Sequence, residues 1–180
     1  MEEIDRMTRL ALGILLTSQG VPFLHAGVEM HRSKGGHNDS YRSPDEINQI
    51  DWGKKSLTLD LFNFAKKCIH LRKQHPAFRM RDSDMVREKL VFFPKYIPGV
   101  IAYELRDHAN GDSWEHILVF LNGNNYSVEY DIPDKIWLIV AQNGEIYPNG
   151  IGHVATQRVR LHPISMMILA EDKWTNFPVG

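Results

Sequence analysis

The chain has 180 residues, with 21 lysines and arginines against 22 aspartates and glutamates, nine histidines and a formal charge of −1. Hydrophobic residues at 43% and aromatics at 10% are enough to build a core, which excludes wholesale disorder. The near-neutral balance gives no support for a nucleic-acid or membrane-surface partner, no apolar run approaches the ~18 residues of a membrane span, and the single cysteine excludes an internal disulfide framework or a Cys-rich zinc site.

Ile4, Met7, Ala11, Ile14 and Leu15 recur at helical spacing, which predicts an amphipathic helix over 2–18 with those residues on its apolar face. Glu2, Glu3 and Asp5 suit its positive N-terminal end, and Gly20 with Pro22 stops it. The apolar run 21–25 is too short for a helix and does not alternate. It therefore reads as a strand buried on both faces, as in a parallel sheet. A long polar stretch, 29–56, comes next. A second amphipathic helix is predicted over 58–75, with Leu61, Phe62, Ala65, Cys68, Ile69 and Arg72 on or near one face and Pro76 closing it. Cys68 reads as a small core residue.

After Pro76 the pattern changes. Strands are predicted at 87–93, 100–106, 116–121, 127–132, 136–141, 157–161 and 165–169, separated by turn signals such as Pro98-Gly99, Asn122-Gly123, Pro133-Asp134 and Asn143-Gly144. Short strands at this spacing suggest an antiparallel sandwich. The chain thus divides into residues 1–78 and a β domain over 79–180. One buried parallel strand cannot satisfy its backbone groups on both edges, so the first part is expected to be the truncated end of a larger α/β domain.

The stretch Gly20-Val-Pro-Phe-Leu-His-Ala-Gly-Val-Glu29 resembles the eighth-strand motif of the α-amylase superfamily of glycoside hydrolases. Further on, Ser40-Tyr41, Ser43-Pro44-Asp45, Ile47-Asn48 and Asp51-Trp52 are similar, in order and spacing, to the eighth loop of type I pullulanases. One departure stands out: Asp39 replaces the usual asparagine before Ser-Tyr, and Asn38 comes one place earlier. The segment Leu71-Arg-Lys-Gln-His-Pro-Ala-Phe78 resembles the family's last barrel helix.

The resemblance implies an α+β chain: the last β/α units of a (β/α)₈ barrel, then an antiparallel β-sandwich. Barrel enzymes carry their sites in the loops at the carboxyl ends of the strands, which is where 30–56 would fall. Loops above ~12–15 residues are uncommon unless functional. Amides, carboxylates and aromatic faces suit sugars. Asn38, Asp39, Tyr41, Arg42, Asp45 and Asn48 are therefore the candidate substrate-binding residues. The implied parent is a retaining hydrolase of α-1,6 links, acting on an α-glucan such as pullulan, amylopectin or glycogen. Its nucleophile, acid/base and stabilising carboxylates would come from strands upstream of Met1. No catalytic residue is assigned to this chain, which is expected to be inactive alone and either to dimerise through exposed barrel surface or to leave the barrel remnant disordered.

The alternative is a non-catalytic module whose sandwich binds glycan or only stabilises a barrel. Trp114, Trp137 and Trp174 are read as ordinary core or edge aromatics rather than a glycan-binding face. His25, Glu29, His31 and His37 lack zincin spacing, and no metal or cofactor is assigned. The motifs leave calcium binding by the parent and the cellular compartment undetermined.

Overall fold

A computed structural model of the protein describes residues 3–171. Among the described residues five α-helices come first: α1 (Glu3–Thr17), α2 (Asp45–Asn48), α3 (Lys54–Leu57), α4 (Leu59–Gln74) and α5 (Ser83–Lys89). Seven strands follow among the described residues: β1 (Leu90–Phe92), β2 (Val100–Leu105), β3 (Ile117–Asn122), β4 (Val128–Gln142), β5 (Glu145–Ile146), β6 (His153–Leu161) and β7 (Ser165–Ala170). Among the described residues no helix is long and apolar enough to cross a membrane.

The strands form one antiparallel sheet in the order β1-β2-β3-β7-β4-β5, with β6 paired along β4. Two separate sheets were expected, and the segments 127–132 and 136–141 were expected to be two strands. They are one strand, β4. Its register with β6 slips between Asp131 and Lys135, so the Pro133-Asp134 pair marks an irregularity within the strand rather than a turn. Across the slip the inward-facing residues change from even to odd numbers: Val128, Tyr130 and Ile132 before it, Trp137 and Ile139 after it. The sheet curls there, bringing Tyr130 of β4 against Phe120 of β3, with ring centroids 5.2 Å apart although these strands are not hydrogen-bonded neighbours. The inside of the curl is one apolar cluster, with Phe120, Tyr130 and Trp137 among its fully buried side chains.

The outer face carries the helices. Leu10, Leu12 and Leu16 of α1, Leu61, Phe64, Cys68 and Leu71 of α4, and Val119, Val140, Ile146 and Ile168 of the sheet share a single core. Burial pushes the Cys68 thiol up to about 12, as expected of a packed, inert cysteine. Trp114 and Trp137 are buried, in keeping with core roles; Trp174 lies outside the described residues.

Three local expectations are corrected. The stripe that the spacing put on the apolar face of α1 is not its packed face: Ile4, Met7 and Ile14 are 67%, 55% and 37% exposed. The buried face is instead Arg9, Leu10, Leu12, Gly13, Leu16 and Thr17. Gly13 allows this approach, since a β-carbon there would stand 2.9 Å from Met166 Sδ on β7. Residues 21–25 form no strand, because among the described residues no strand lies beside them. Val21 and Phe23 are 97% and 86% exposed. Finally, 87–93 begins as helix: the Asp82 carboxylate accepts from the Asp84 and Met85 amides and caps α5, so that only Leu90–Phe92 pairs as β1.

Candidate functional site

The long loop after residues 21–25 starts at Gly27, which is buried and has φ 92°, a region that costs any other residue. Its carbonyl accepts from the Met30 amide at 2.9 Å and the Arg32 amide at 2.9 Å. The Arg32 stem then lies against it so closely that a β-carbon on Gly27 would meet Arg32 Cβ at 2.8 Å. From this seat the Arg32 guanidinium bridges two distant points of the loop. Its Nη1 donates to the Ala26 carbonyl at 3.1 Å, and its Nη2 donates to the carbonyl of Asn48.

Asn48 sits at the end of α2, and its side chain ties down the rest of the loop. Its Nδ2 donates to the Ser40 carbonyl at 2.8 Å and the Ser43 carbonyl at 2.6 Å, while its Oδ1 accepts from Lys34 Nζ. Desolvation, and secondarily the Arg32 charge, hold the Lys34 ammonium below the usual lysine range. One-turn bonds complete the frame, from His37 N to Lys34 O at 3.1 Å and from Ser43 N to Ser40 O at 3.0 Å.

The six candidate residues therefore divide. Asn38, Asp39, Tyr41, Arg42 and Asp45 are exposed on this frame. Tyr41 is 72% exposed, and the Arg42 guanidinium lies 5.1 Å from its ring centroid, so the pair offers an apolar face edged by a cation. Asn48 differs, because both its amide nitrogen and its amide oxygen are committed inside the loop. It acts on the others by holding the chain path. A polar cleft of about 400 Å³, which none of the six candidates lines, is bordered by Arg32, Glu46, Gln49, Asp51 and the 69% exposed Trp52. Planar amides, carboxylates and uncovered aromatic rings can fork onto hydroxyl pairs and cover the apolar face of a ring.

The sequence did not mark Arg32 or Lys34. Both bond to loop carbonyls or to Asn48, and a chain path is not readable from spacing. Their basic character in an otherwise mixed loop was the only available signal. His25, His31 and His37 do not converge: among the described residues no group of three or more His, Cys, Asp or Glu side chains could hold a metal ion. His31 Nε2 instead lies 3.5 Å from Asp5 Oδ1 on α1.

Comparison with known proteins gives matches over both parts of the chain. Residues 86–145 match the model of the pullulanase all-beta domain. A pullulanase of Bacillus subtilis (strain 168) is 39% identical over 128 residues, which cover 71% of this chain and 18% of that protein. The solved pullulanase from Bacillus acidopullulyticus superposes with a TM-score of 0.89 at 39% identity, over 95% of this chain and 21% of that one. The type I pullulanase from Bacillus subtilis str. 168 complexed with maltose gives 0.87 at 31% identity, over 96% and 24%. The chain thus spans about a fifth of the length of the relatives it matches. Over that segment, in sequence and in fold, the chain is similar to the pullulanases, and residues 86–145 match their all-beta domain.

Proposed function

We propose that the chain is part of a pullulanase-like debranching enzyme that hydrolyses α-1,6-glucosidic bonds in pullulan and branched α-glucans by a retaining two-carboxylate mechanism. Residues 1–78 would be the last β/α units of a (β/α)₈ barrel, and 79–180 the C-terminal β domain. The loop carrying Asn38, Asp39, Tyr41, Arg42, Asp45 and Asn48 would form a wall of the glucan groove. The reacting carboxylates would stand on earlier strands of the longer protein.

The observation that carries this reading is the surface of α1 together with the order of the segments behind it. A helix apolar on two sides is normally covered on two sides. The face of Leu10, Leu12 and Leu16 is covered by α4 and the sheet, while Ile4, Met7 and Ile14 are not. Next comes an apolar pentapeptide that pairs with no strand among the described residues, then a long polar loop. That order is the one expected of helix, strand position and site-bearing loop in a barrel unit, and it supports this reading.

Incubating the purified chain with pullulan and assaying reducing ends tests the division of labour. No turnover above the blank is expected, and turnover at an enzyme-like rate would overturn it. The exposed apolar surface of Ile4, Met7, Val21 and Phe23 also makes self-association the expected state. Light scattering should report a dimer; a monomer at all concentrations would refute it.

A second reading, that the β domain serves to stabilise a barrel, is favoured by the core shared between α1, α4 and the outer face of the sheet. The two readings are compatible in one protein. The burial of Trp114 and Trp137 gives no support to a glycan-binding face on the sheet.

A further inference from the structure

We infer that Arg32 is a positioning residue: with Asn48 and Lys34 it closes the loop on itself, holding Asn38, Asp39, Tyr41 and Arg42 in a fixed outward array before any sugar arrives. The inference rests on the glucan-binding role proposed for that loop.

A loop of this length, tethered only at its ends, would sample many conformations. Each recognition side chain would then have to be ordered at the moment of binding, at the expense of affinity. Here the ordering is internal. Arg32 joins Ala26, at the loop's entrance, to Asn48, twenty-two residues further along. Asn48 in turn holds Ser40 and Ser43, which flank Tyr41 and Arg42. The recognition residues therefore hang between points that are all tied, directly or through Asn48, to one guanidinium.

The residue type fits the task. Only a planar fork with separate donors can serve two carbonyls in different directions, whereas a lysine ammonium at the end of a flexible stem serves one region of space. The Nε, on the stem side of the guanidinium, is buried and has no partner, so the hydrogen bonds that place the group are those of its two terminal nitrogens. Gly27 accommodates the stem, so the glycine and the arginine form one device. None of the Arg32 side-chain hydrogen bonds reaches the cores on either face of the sheet.

The test compares the full chain with its Arg32→Ala, Arg32→Lys and Asn48→Ala variants by hydrogen exchange, melting temperature and maltotetraose calorimetry. The amides of His37, Ser43 and Asn48 should exchange about 10-fold faster in Arg32→Ala and Asn48→Ala, with the melting temperature nearly unchanged. Arg32→Lys should fail to restore their protection. Affinity for maltotetraose should fall roughly 10-fold in all three variants, because the ordering cost returns to the binding step. Unchanged loop exchange in Arg32→Ala overturns the inference, as does a fall in melting temperature with faster exchange throughout the sheet, which would make Arg32 a general stabiliser. A wild-type chain that binds no maltotetraose, while Arg32→Ala still loosens the loop, overturns the glucan reading and leaves the internal closure standing.

Discussion

Replacing Asp112 by alanine is expected to remove about 3–5 kcal/mol of stability, a large share of what a domain of this size possesses. The carboxylate is fully buried and accepts three hydrogen bonds: from His75 Nδ1 at 2.9 Å, from the Trp114 amide at 3.0 Å and from the Ala77 amide at 3.1 Å. Trp114 also stacks on His75, with ring centroids 3.4 Å apart. Truncation leaves two backbone N–H groups and an imidazole without their partner in a place water does not reach, each at about 1–3 kcal/mol.

The neighbourhood offers little relief. Gln19 already bonds the Ala77 carbonyl and the Met80 amide, and Asn110 already bonds the carbonyls of Pro76 and Arg79. These bonds join the end of α1, the segment after α4 and the turn before β3, so their loss should loosen the helices from the sheet. A drop of roughly 10 °C in melting temperature is expected. A change below about 2 °C would mean the pocket refills or hydrates without loss.

The same carboxylate sets an acid limit. Burial pushes the Asp112 carboxyl up, but the His75 bond, the Trp114 and Ala77 amides and the His75 charge together outweigh it and hold the group below the usual carboxylate range. A group whose pKa is depressed by folding contributes its stability in full above its unfolded value, about 3.9, and loses it as pH falls through the folded value. Urea midpoints measured between pH 7 and pH 3 should therefore be level down to about pH 4 and fall beneath it. The Asp112→Asn variant should be less stable at neutral pH and lack that share of the acid-dependent fall.

Trp137→Ala should cost a comparable ~3–5 kcal/mol by a different mechanism. The indole is fully buried inside the curl of the sheet, and its Nε1 donates to the Pro133 carbonyl at 3.0 Å, within the irregular part of β4. Alanine leaves a large cavity and frees that carbonyl. Phenylalanine fills most of the space but not the hydrogen bond, and should cost about 1–3 kcal/mol. Denaturant unfolding of the two variants checks the ordering. Equal losses would assign the effect to the hydrogen bond, and no loss in either would show that the curl is held from elsewhere.

Elements governed by neighbours in sequence were legible. The α4 boundaries fall within a residue of expectation, because Pro76 cannot continue a helix and the apolar spacing inside 59–74 is regular. β2, β3 and β7 appeared where apolar β-forming runs stand between turn dipeptides. The position of the candidate loop was legible too, from the Gly-x-Glu motif and the run of polar residues behind it. The roles within the loop were not. Asn48 read as a sugar contact, yet its amide is consumed by Ser40, Ser43 and Lys34, and Arg32 carried no mark beyond its charge.

Composition, periodicity and turn chemistry alone thus determined that helices precede a sheet, where most strands lie, and which family the chain resembles, since each rests on local stereochemistry or on residues a few places apart. Tertiary structure alone decided which side of α1 is covered, because both sides are apolar and Gly13 against Met166 selects one. It also decided that β4 is one strand with a slip in its alternation, and that Asp112 meets His75 thirty-seven residues away. Such outcomes depend on which distant surfaces fit closely enough to exclude water. That fit is a property of the assembled chain, not of any stretch of it.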